Sequence, residues 1–470
     1  MVLGKGLPPE HAAMGRGKKK TLLINPWIYD FAAYDLWAKP LGLLSLGGQL
    51  RSQGYRVFLL DCLDVYNPWI ELGGKPRPHR KPYHCGKFLK EPVEKPLPLG
   101  SIPRTYSRYG ISEGAFWRGL HDIGRPDVVL VTSMMTYWYP GPFRAITLVQ
   151  KAFPGIPIVL GGVYATLCHE HAVANSGADF VFAGGGIDQA LGLVDEILDI
   201  SRSRIEQASY PAFDLYPRLD SVCLATSKGC PYRCVYCASS RLQGSFSQRT
   251  PVDVVEEIRH WVERSHVTDI AFYDDALLIN ASRHFVPILQ GILERGIRCR
   301  FHLPNGIHAR GLTQEVADLM FRAGFKTVRL GLETVDPGRQ EETGGKVDDE
   351  DVRIAIESLK AAGFSSTDIG VYLMAGVPGQ RREEVELGIE TVWQWGAVPK
   401  IAEYSPIPDT PLWEQAVQHS SYDLEGEPLF HNNSILPCHW EGLSWRDLAA
   451  IKTGLQRRLR DQKTVLRSTF

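Results

Sequence analysis

Two α/β domains in series are predicted: a doubly wound parallel sheet, then a partial six-stranded TIM-like barrel with a short helical extension. Three observations carry that expectation. The chain has 470 residues, enough for two or three domains with real cores. Short apolar, β-branched runs alternate with helical stretches along nearly its whole length, the pattern of parallel sheets covered on both faces. A linker at Ser201–Asp220, containing Pro211 and Pro217, divides five such runs from six more.

Residues 1–20 read as a flexible tail ending in the basic run Gly15-Arg16-Gly17-Lys18-Lys19-Lys20. The apolar stretch Thr21–Pro26 is too short for the core of an export signal and reads as a first buried strand. Strands are then expected at Thr21–Asn25, Arg56–Asp61, Asp127–Thr132, Pro157–Gly161 and Phe180–Ala183, each bounded by Gly, Pro or Asp. Helices are expected near Leu41–Gln53, Pro142–Lys151, Thr166–Asn175 and Asp188–Ile200. Right-handed crossovers make residues 21–200 a doubly wound, Rossmann-like domain whose ligand binds at the strand carboxyl ends. The Pro-, Lys- and Arg-rich insertion at about 73–110 is a lid, a domain-clasping loop or a surface excursion.

After the linker, strands are expected at Ser221–Ser227, Thr268–Tyr273, Arg298–Leu303, Thr327–Leu332, Asp368–Met374 and Lys400–Tyr404. Helices follow them near Val252–Glu263, Phe285–Glu294, Gln314–Ala323, Glu350–Ala361 and Glu383–Trp395. Six strand–helix units over 221–410 make an incomplete barrel, with chemistry at its carboxyl ends. In the extension 411–470, Ser444 and Asp447 read as an acidic capping box. Leu448, Ile451, Leu455 and Leu459 form one apolar stripe for core or interface.

Lys+Arg of 52 against Asp+Glu of 53 leaves a net charge of −1, which argues against a phosphate-driven nucleic-acid binder. No run of about 18 apolar residues is present, so no membrane span is expected. Nine cysteines, an odd number in so long a chain, do not make a disulfide scaffold. A reducing, cytoplasmic location follows, where clustered cysteines mean metal or catalysis.

The strongest cluster is Gly229-Cys230-Pro231-Tyr232-Arg233-Cys234-Val235-Tyr236-Cys237, directly after the first barrel strand. Closely spaced thiolates hold iron–sulfur clusters. Structural zinc wants a second pair, and the next cysteine is Cys299. Zinc and an inert cysteine-rich loop are the alternatives, and with them a non-enzymatic metal-binding module. Cys-x3-Cys-x2-Cys with Tyr236 before the last cysteine resembles the signature of radical S-adenosylmethionine (radical SAM) enzymes. The resemblance implies a 4Fe-4S cluster on Cys230, Cys234 and Cys237, whose fourth iron chelates the amine and carboxylate of S-adenosyl-L-methionine. Cys223 and Cys299 are expected to be dispensable for it.

The other strand ends extend the resemblance. Asp274 and Asp275 match a polar motif for the methionyl amine. Glu333 looks like the ribose carboxylate. Gly376-Val377-Pro378-Gly379 matches the Gly-Pro turn at the adenine and ribose, and Glu403-Tyr404-Ser405-Pro406 the adenine-contacting segment. The family implies reductive cleavage of S-adenosylmethionine to a 5′-deoxyadenosyl radical, which takes hydrogen from an unactivated carbon. It also implies a reducing donor such as flavodoxin or ferredoxin. A small-molecule or lipid-like substrate is compatible with the aromatic content but is not legible.

A doubly wound domain ahead of such a barrel looks like the cobalamin-binding branch of the family. Ser133-Met134-Met135 resembles its Ser-x-Leu motif, and Gly161-Gly162 the glycine pair that passes the nucleotide tail. The Asp-x-His-x-x-Gly loop is absent: Asn25-Pro26-Trp27-Ile28-Tyr29-Asp30 stands there, with no His for cobalt. A cobalamin is therefore expected base-off, its base in a slot that a larger residue at Gly162 would fill. The resemblance implies methylation through methylcobalamin. The alternative is coupling, cyclisation or rearrangement with a cobalamin-free first domain. Cys168-His169-Glu170-His171 reads as an exposed helix start rather than a metal site. Cys438-His439 reads as structural more readily than as a hydrogen donor to the substrate, and Gly184-Gly185-Gly186 as a turn.

Overall fold

The computed structural model describes residues 19–73, 76–200, 209–438 and 442–468, with side chains of the last helix to Asp461. The tail to Lys18, Gly74 and Lys75 of the insertion, Ser201–Ala208 of the linker, and His439 lie outside the described residues.

The first sheet contains β1 (Lys20–Asn25), β2 (Arg56–Asp61), β3 (Val128–Val131), β4 (Ile158–Leu160) and β5 (Phe180–Val181), in the order β2-β1-β3-β4-β5 and all parallel. Leu22, Leu23 and Ile24 in β1 are wholly buried, because alternate side chains enter cores on opposite faces. Leu22 and Ile24 meet Phe116, Ile146 and Val149, whereas Leu23 meets Leu50, Leu191 and Val194. That two-sided burial explains the unbroken apolar run. Strand order reverses between β1 and β3, the place where doubly wound sheets bind ligands.

The second sheet runs β11-β10-β9-β8-β7-β6, again all parallel: β6 (Ser221–Leu224), β7 (Asp269–Phe272), β8 (Arg300–His302), β9 (Phe325–Glu333), β10 (Ile369–Ala375) and β11 (Val398–Glu403). β6 and β11 are the edges, so the barrel is open. Phe272, Phe301 and Phe325 pack outward with Phe285, Ile288 and Met320. The inward positions are polar, with Asp269 and His302 buried inside.

The expected helix at Thr166–Asn175 divides at Cys168 into Val163–Leu167 and His169–Asn175. The helix Glu113–Ile123, capped by Ser112, was not expected. Ser444 and Asp447 cap Trp445–Ser468 reciprocally. Leu448 and Ile451 of its stripe are buried, while Leu455 and Leu459 are half-exposed.

The insertion is neither a lid nor a loose excursion. Lys90–Pro92 and Ser107–Tyr109 form an antiparallel sheet with Ile28–Asp30. His84 Nδ1 reaches Asp269 at the amino end of β7, 2.8 Å away, far from the strand ends that carry chemistry. Trp37 stacks on His302 at 4.1 Å, and Tyr273 Oη donates to the Leu36 carbonyl at 2.8 Å. The extension closes the other side: Asn432 Nδ2 donates to Asp30 Oδ1 at 2.8 Å, and Tyr139 Oη to Glu427 at 2.9 Å.

His431, in the extension, is 1% exposed and pairs with the Leu424 carbonyl at 2.8 Å. Burial holds its imidazole down to about 4. The unfolded chain takes that proton near the ordinary value of about 6.5. The contribution of His431 is therefore whole above pH 6.5 and is lost as pH falls toward 4. Between pH 7 and pH 5 it should cost about 2 kcal/mol of stability. His431→Gln should remove that part of the acid sensitivity, read from urea midpoints at the two pH values.

Candidate active site

The barrel's first strand leads into a short antiparallel pair, Ser227–Lys228 against Ser247–Gln248, which closes the long loop that holds the cysteines and the helix Ser239–Gln243. The neck of that loop is held by Asp274. Its buried carboxylate accepts from Thr226 N at 2.9 Å, Thr226 Oγ1 at 2.8 Å, Ser227 N at 2.7 Å and Ser227 Oγ at 2.6 Å. All four fall on Oδ1, and Oδ2 takes only a longer bond from Thr226 N at 3.1 Å. Asp275 is exposed beside the loop and accepts from Ser239 Oγ. Both acids lie past the end of β7, and there Asp274 is buried while Asp275 is exposed.

Cys230 and Cys234 are half-buried and Cys237 is exposed. Burial pushes the Cys230 and Cys237 thiols up, and the neighbouring thiols push the same way. Catalytic nucleophiles show the opposite shift, so these thiols need a metal centre to ionise them. Among the described residues no three His, Cys, Asp or Glu side chains converge on one point as a single ion requires. A cubane takes one thiolate at each of several irons, which suits three thiols spread along a loop. Cys223 is buried on the carbonyl of Lys39, and Cys438 is buried on that of Ala416, in the apolar cluster that packs against Val235 and Tyr236 of the loop.

Glu333 ends β9 with a positive φ of 74°, a strained value for a residue with a side chain. It accepts from Lys346 Nζ at 2.7 Å, and the same ammonium donates to Tyr236 Oη at 2.9 Å. Burial pulls the Lys346 ammonium down, but Glu333 and the Cys234 thiol outweigh it and leave it raised. The turn after β10 is pinned by Gln380, whose Oε1 accepts from Gly376 N at 2.9 Å while Nε2 donates to the Met374 carbonyl at 2.9 Å. Arg339 donates to the Pro378 carbonyl at 3.2 Å. On one side Gly376 is covered, since a Cβ there would lie 2.6 Å from Leu436. Glu403 is engaged by Lys452, and Tyr404 is buried.

In the first domain, Ser133 Oγ donates to the Gly161 carbonyl at 2.7 Å. Gly162 has φ 95°, and a Cβ there would lie 2.3 Å from the Ser133 carbonyl oxygen. A side chain at 162 would therefore strike the Ser133 backbone rather than fill a slot, which corrects the expectation for that position. Alongside, a largely apolar cleft of about 200 Å³ opens past β3 and β4 between the helices Leu41–Ser52 and Ile187–Ile197. Gly161, Gly162, Gly185 and Gly186 line its mouth, and Gly186 borders Lys228 of the antiparallel pair. His169 and Glu170 are exposed, and His171 instead bonds Tyr164 Oη at 2.6 Å.

Residues 224–391 match the family model of the Radical SAM superfamily. The second sheet thus carries a radical SAM domain. That domain implies a 4Fe-4S cluster and S-adenosylmethionine. Among similar proteins, the uncharacterized methyltransferase PH0819 of Pyrococcus horikoshii is 24% identical over 67% of this chain and 72% of that one. The cytidylyl-2-hydroxyethylphosphonate methyltransferase of Streptomyces wedmorensis is 22% identical over 93% and 89%. The radical S-adenosylmethionine methyltransferase TsrM of Kitasatospora setae, solved with cobalamin and a [4Fe-4S] cluster bound, shares the fold. Its TM-score is 0.63 at 16% identity, over 87% of this chain and 76% of that one. No helix among the described residues is long and apolar enough to cross a membrane.

Lys346 and His308 at the barrel mouth carry no motif that sequence spacing reveals. Only the turn signal Gly344-Gly345 precedes the lysine.

The two neighbouring acids of this radical SAM protein should separate by experiment. Asp274→Ala strands buried donors and should lower stability by about 2–4 kcal/mol, with less iron retained. Asp275→Ala should leave the urea midpoint unchanged and weaken S-adenosylmethionine binding.

Proposed function

We propose that the enzyme methylates an unactivated carbon of its substrate with cobalamin as methyl carrier. The observation that carries this reading is the apolar cleft beside Gly161 and Gly162, which opens on the same side as the cysteine loop. The helix Val163–Leu167 after the glycine pair packs on Ser239–Gln243, the helix that follows the three cysteines. The cleft's apolar lining suits a displaced nucleotide base, and the segment Asn25–Asp30 offers cobalt no imidazole. The named methyltransferase relatives and the cobalamin-bound fold neighbour support the same reading.

In this reading Cys230, Cys234 and Cys237 hold the cluster. Asp275 faces the methionyl ammonium, Glu333 the ribose hydroxyls, and Tyr236 and the Gly376–Pro378 turn the adenosyl group. Asp274 braces the loop instead of touching ligand. Ser133, Gly161 and Gly162 shape the cobalamin seat. The working division is 21–200 for cobalamin, 221–410 for radical generation and 411–470 as cover. When bound, the cluster supplies the electron that cleaves S-adenosylmethionine. The chain's own residues orient that cosubstrate and exclude water. Flavodoxin or ferredoxin in the cytoplasm is the electron donor this chemistry asks for, and the substrate is a small or lipid-like molecule.

Ala190 lines the cleft from the helix Ile187–Ile197, so Ala190→Trp places an indole in it. The unaltered protein, incubated with hydroxocobalamin, should keep it through gel filtration with a base-off spectrum. The Ala190→Trp protein should not, while its iron–sulfur absorption stays normal. Elution of the unaltered protein without cobalamin would favour the second reading, a non-methylating radical enzyme with a structural first domain. Cys234→Ala should lose the cluster's visible absorption and all S-adenosylmethionine cleavage. One zinc per chain without sulfide would instead support a binding module.

A further inference from the structure

The polar groups of the barrel mouth are engaged within it: Lys346 joins Glu333 to Tyr236, and His308 stacks on Tyr232 at 4.0 Å. An excess of charge lies elsewhere. The whole chain has a net charge of −1, yet its cations are unevenly spread. The insertion at 73–110 carries nine Lys or Arg against two Glu, and the helix Trp445–Ser468 carries seven against two Asp. The two segments meet. The Arg104 guanidinium of the insertion lies 5.3 Å from the ring of Trp445, which opens the helix, and 5.2 Å from that of Phe31.

Two apolar side chains reach water from these segments. Trp445 is 37% exposed, while its Nε1 donates to the Ile435 carbonyl at 3.1 Å. Leu97, on the loop that carries Arg104, is 97% exposed. The loop itself is braced. Pro96 and Pro98 flank Leu97, and the Leu97 carbonyl accepts from Gly100 N at 3.1 Å. Leu99 and Ile102 are buried against the extension, with Leu429 and Ile435. A lone surface leucine is ordinary. A leucine held outward on a braced loop that also touches an indole, amid an excess of cations, has the make-up of a lipid-facing surface. Arg446 and Arg457 are exposed and pair with no acid among the described residues. Three helical turns apart, they share one line of the helix, away from the buried Leu448 and Ile451. A second copy of this chain would set like charge against like here. An acidic protein would match the cations but give Leu97 nothing to enter.

We propose that the loop at 95–104 and the helix Trp445–Ser468 form a docking face for an anionic lipid bilayer. Leu97 and Trp445 enter the headgroup layer, and Arg446 and Arg457 lie over the lipid phosphates. The docking is peripheral, since no helix among the described residues is long and apolar enough to cross a membrane. The face is joined to the barrel mouth. Arg104 donates to the Ser434 carbonyl, two residues before Leu436, which covers Gly376. A bilayer-held substrate, the lipid-like of the two classes named above, would arrive beside that cover. This last consequence rests on the methylation reading, whereas the docking does not.

The test sediments the full chain with sucrose-loaded vesicles and needs no turnover. Vesicles of phosphatidylcholine and phosphatidylglycerol in equal parts should carry the protein down at about 0.1 M salt, and phosphatidylcholine alone should bind it about tenfold or more weakly. Salt at about 0.5 M should release most of the protein. Leu97→Asp should weaken binding to the mixed vesicles about tenfold or more, as expected for one leucine withdrawn from lipid. Arg446→Gln and Arg457→Gln together should weaken it about tenfold or more and flatten the salt dependence. All three side chains are exposed, so urea midpoints and iron content should stay those of the unaltered protein. Failure of the unaltered protein to sediment with the mixed vesicles would overturn the docking face. Equal binding to both kinds of vesicle would overturn it too, because the cations would then have no part. Binding that Leu97→Asp leaves intact and the arginine pair abolishes would replace the bilayer with an acidic protein as the occupant. None of these outcomes bears on cobalamin retention, so the docking face and the methylation reading can fail separately.

Discussion

A single buried carboxylate, Asp269, ties the halves of the molecule together. It opens β7 with no exposed surface, a place where an unpaired charge would be very costly. Burial pushes its carboxyl up, but hydrogen bonds from His302, Arg300 and His84 outweigh that and hold it well below the usual range. Arg300 donates at 2.6 and 2.7 Å, and His302 pairs at 2.9 Å. His84 belongs to the insertion, and Trp37 of the first domain seals His302 from above. Withdrawing His84 would remove one of the bonds to that carboxylate and leave Arg300 and His302 to hold it. The clasp thus joins a polar contact to the apolar ones. Trp37, Tyr83 and His84 all adopt positive φ there, a local strain the network sustains.

A second tie, Asp30 with Asn432 and Trp138, sits across the molecule. Held at two separated places, the sheets cannot pivot freely about the linker. Their carboxyl edges stay near each other, so Lys228 borders Gly186 of the first domain. The segment that departs most from the cobalamin-binding pattern, Asn25–Asp30, is the one spent on this tie. Its acid is used to hold the extension and not to orient a ligand's imidazole.

Much of this was legible because its signals are local. Arg56–Asp61, Phe285–Glu294 and Gln314–Ala323 stand where periodicity put them, and the thiol spacing marked the loop before any fold was known. The antiparallel strands Lys90–Pro92 and Ser107–Tyr109 were not legible. Three residues are too few to display alternation, and their Pro- and Lys-rich setting reads as loop. The helix Glu113–Ile123 was hidden beside that setting despite the Ser112 cap. The acids Asp274 and Asp275 look equivalent in sequence, and the fold buries the first and exposes the second. Lys346 and His308 were invisible because each gains its role from residues far away in the chain. Glu333 is 13 positions before its lysine, and Tyr232 is 76 before its histidine.

The two sides of the barrel mouth differ in readiness. The polar side is built: Asp274 holds the loop's neck, Ser239 orients Asp275, and Lys346 fixes Glu333. The apolar side is closed by the extension. Leu412 N donates to the Val235 carbonyl at 3.0 Å, and Val377, Tyr404, Leu424 and Cys438 pack with Val235 and Tyr236. Leu436 covers Gly376 from a left-handed backbone, with φ 50°. The buried Tyr404 hydroxyl has no partner there. Each side thus carries one left-handed residue and one buried polar atom that lacks a partner among the described residues: Leu436 and the Tyr404 hydroxyl on the apolar side, Glu333 and His308 Nδ1 on the polar side. The difference is that the cover rests on a side chain, Leu436, and not on the strands that carry the site.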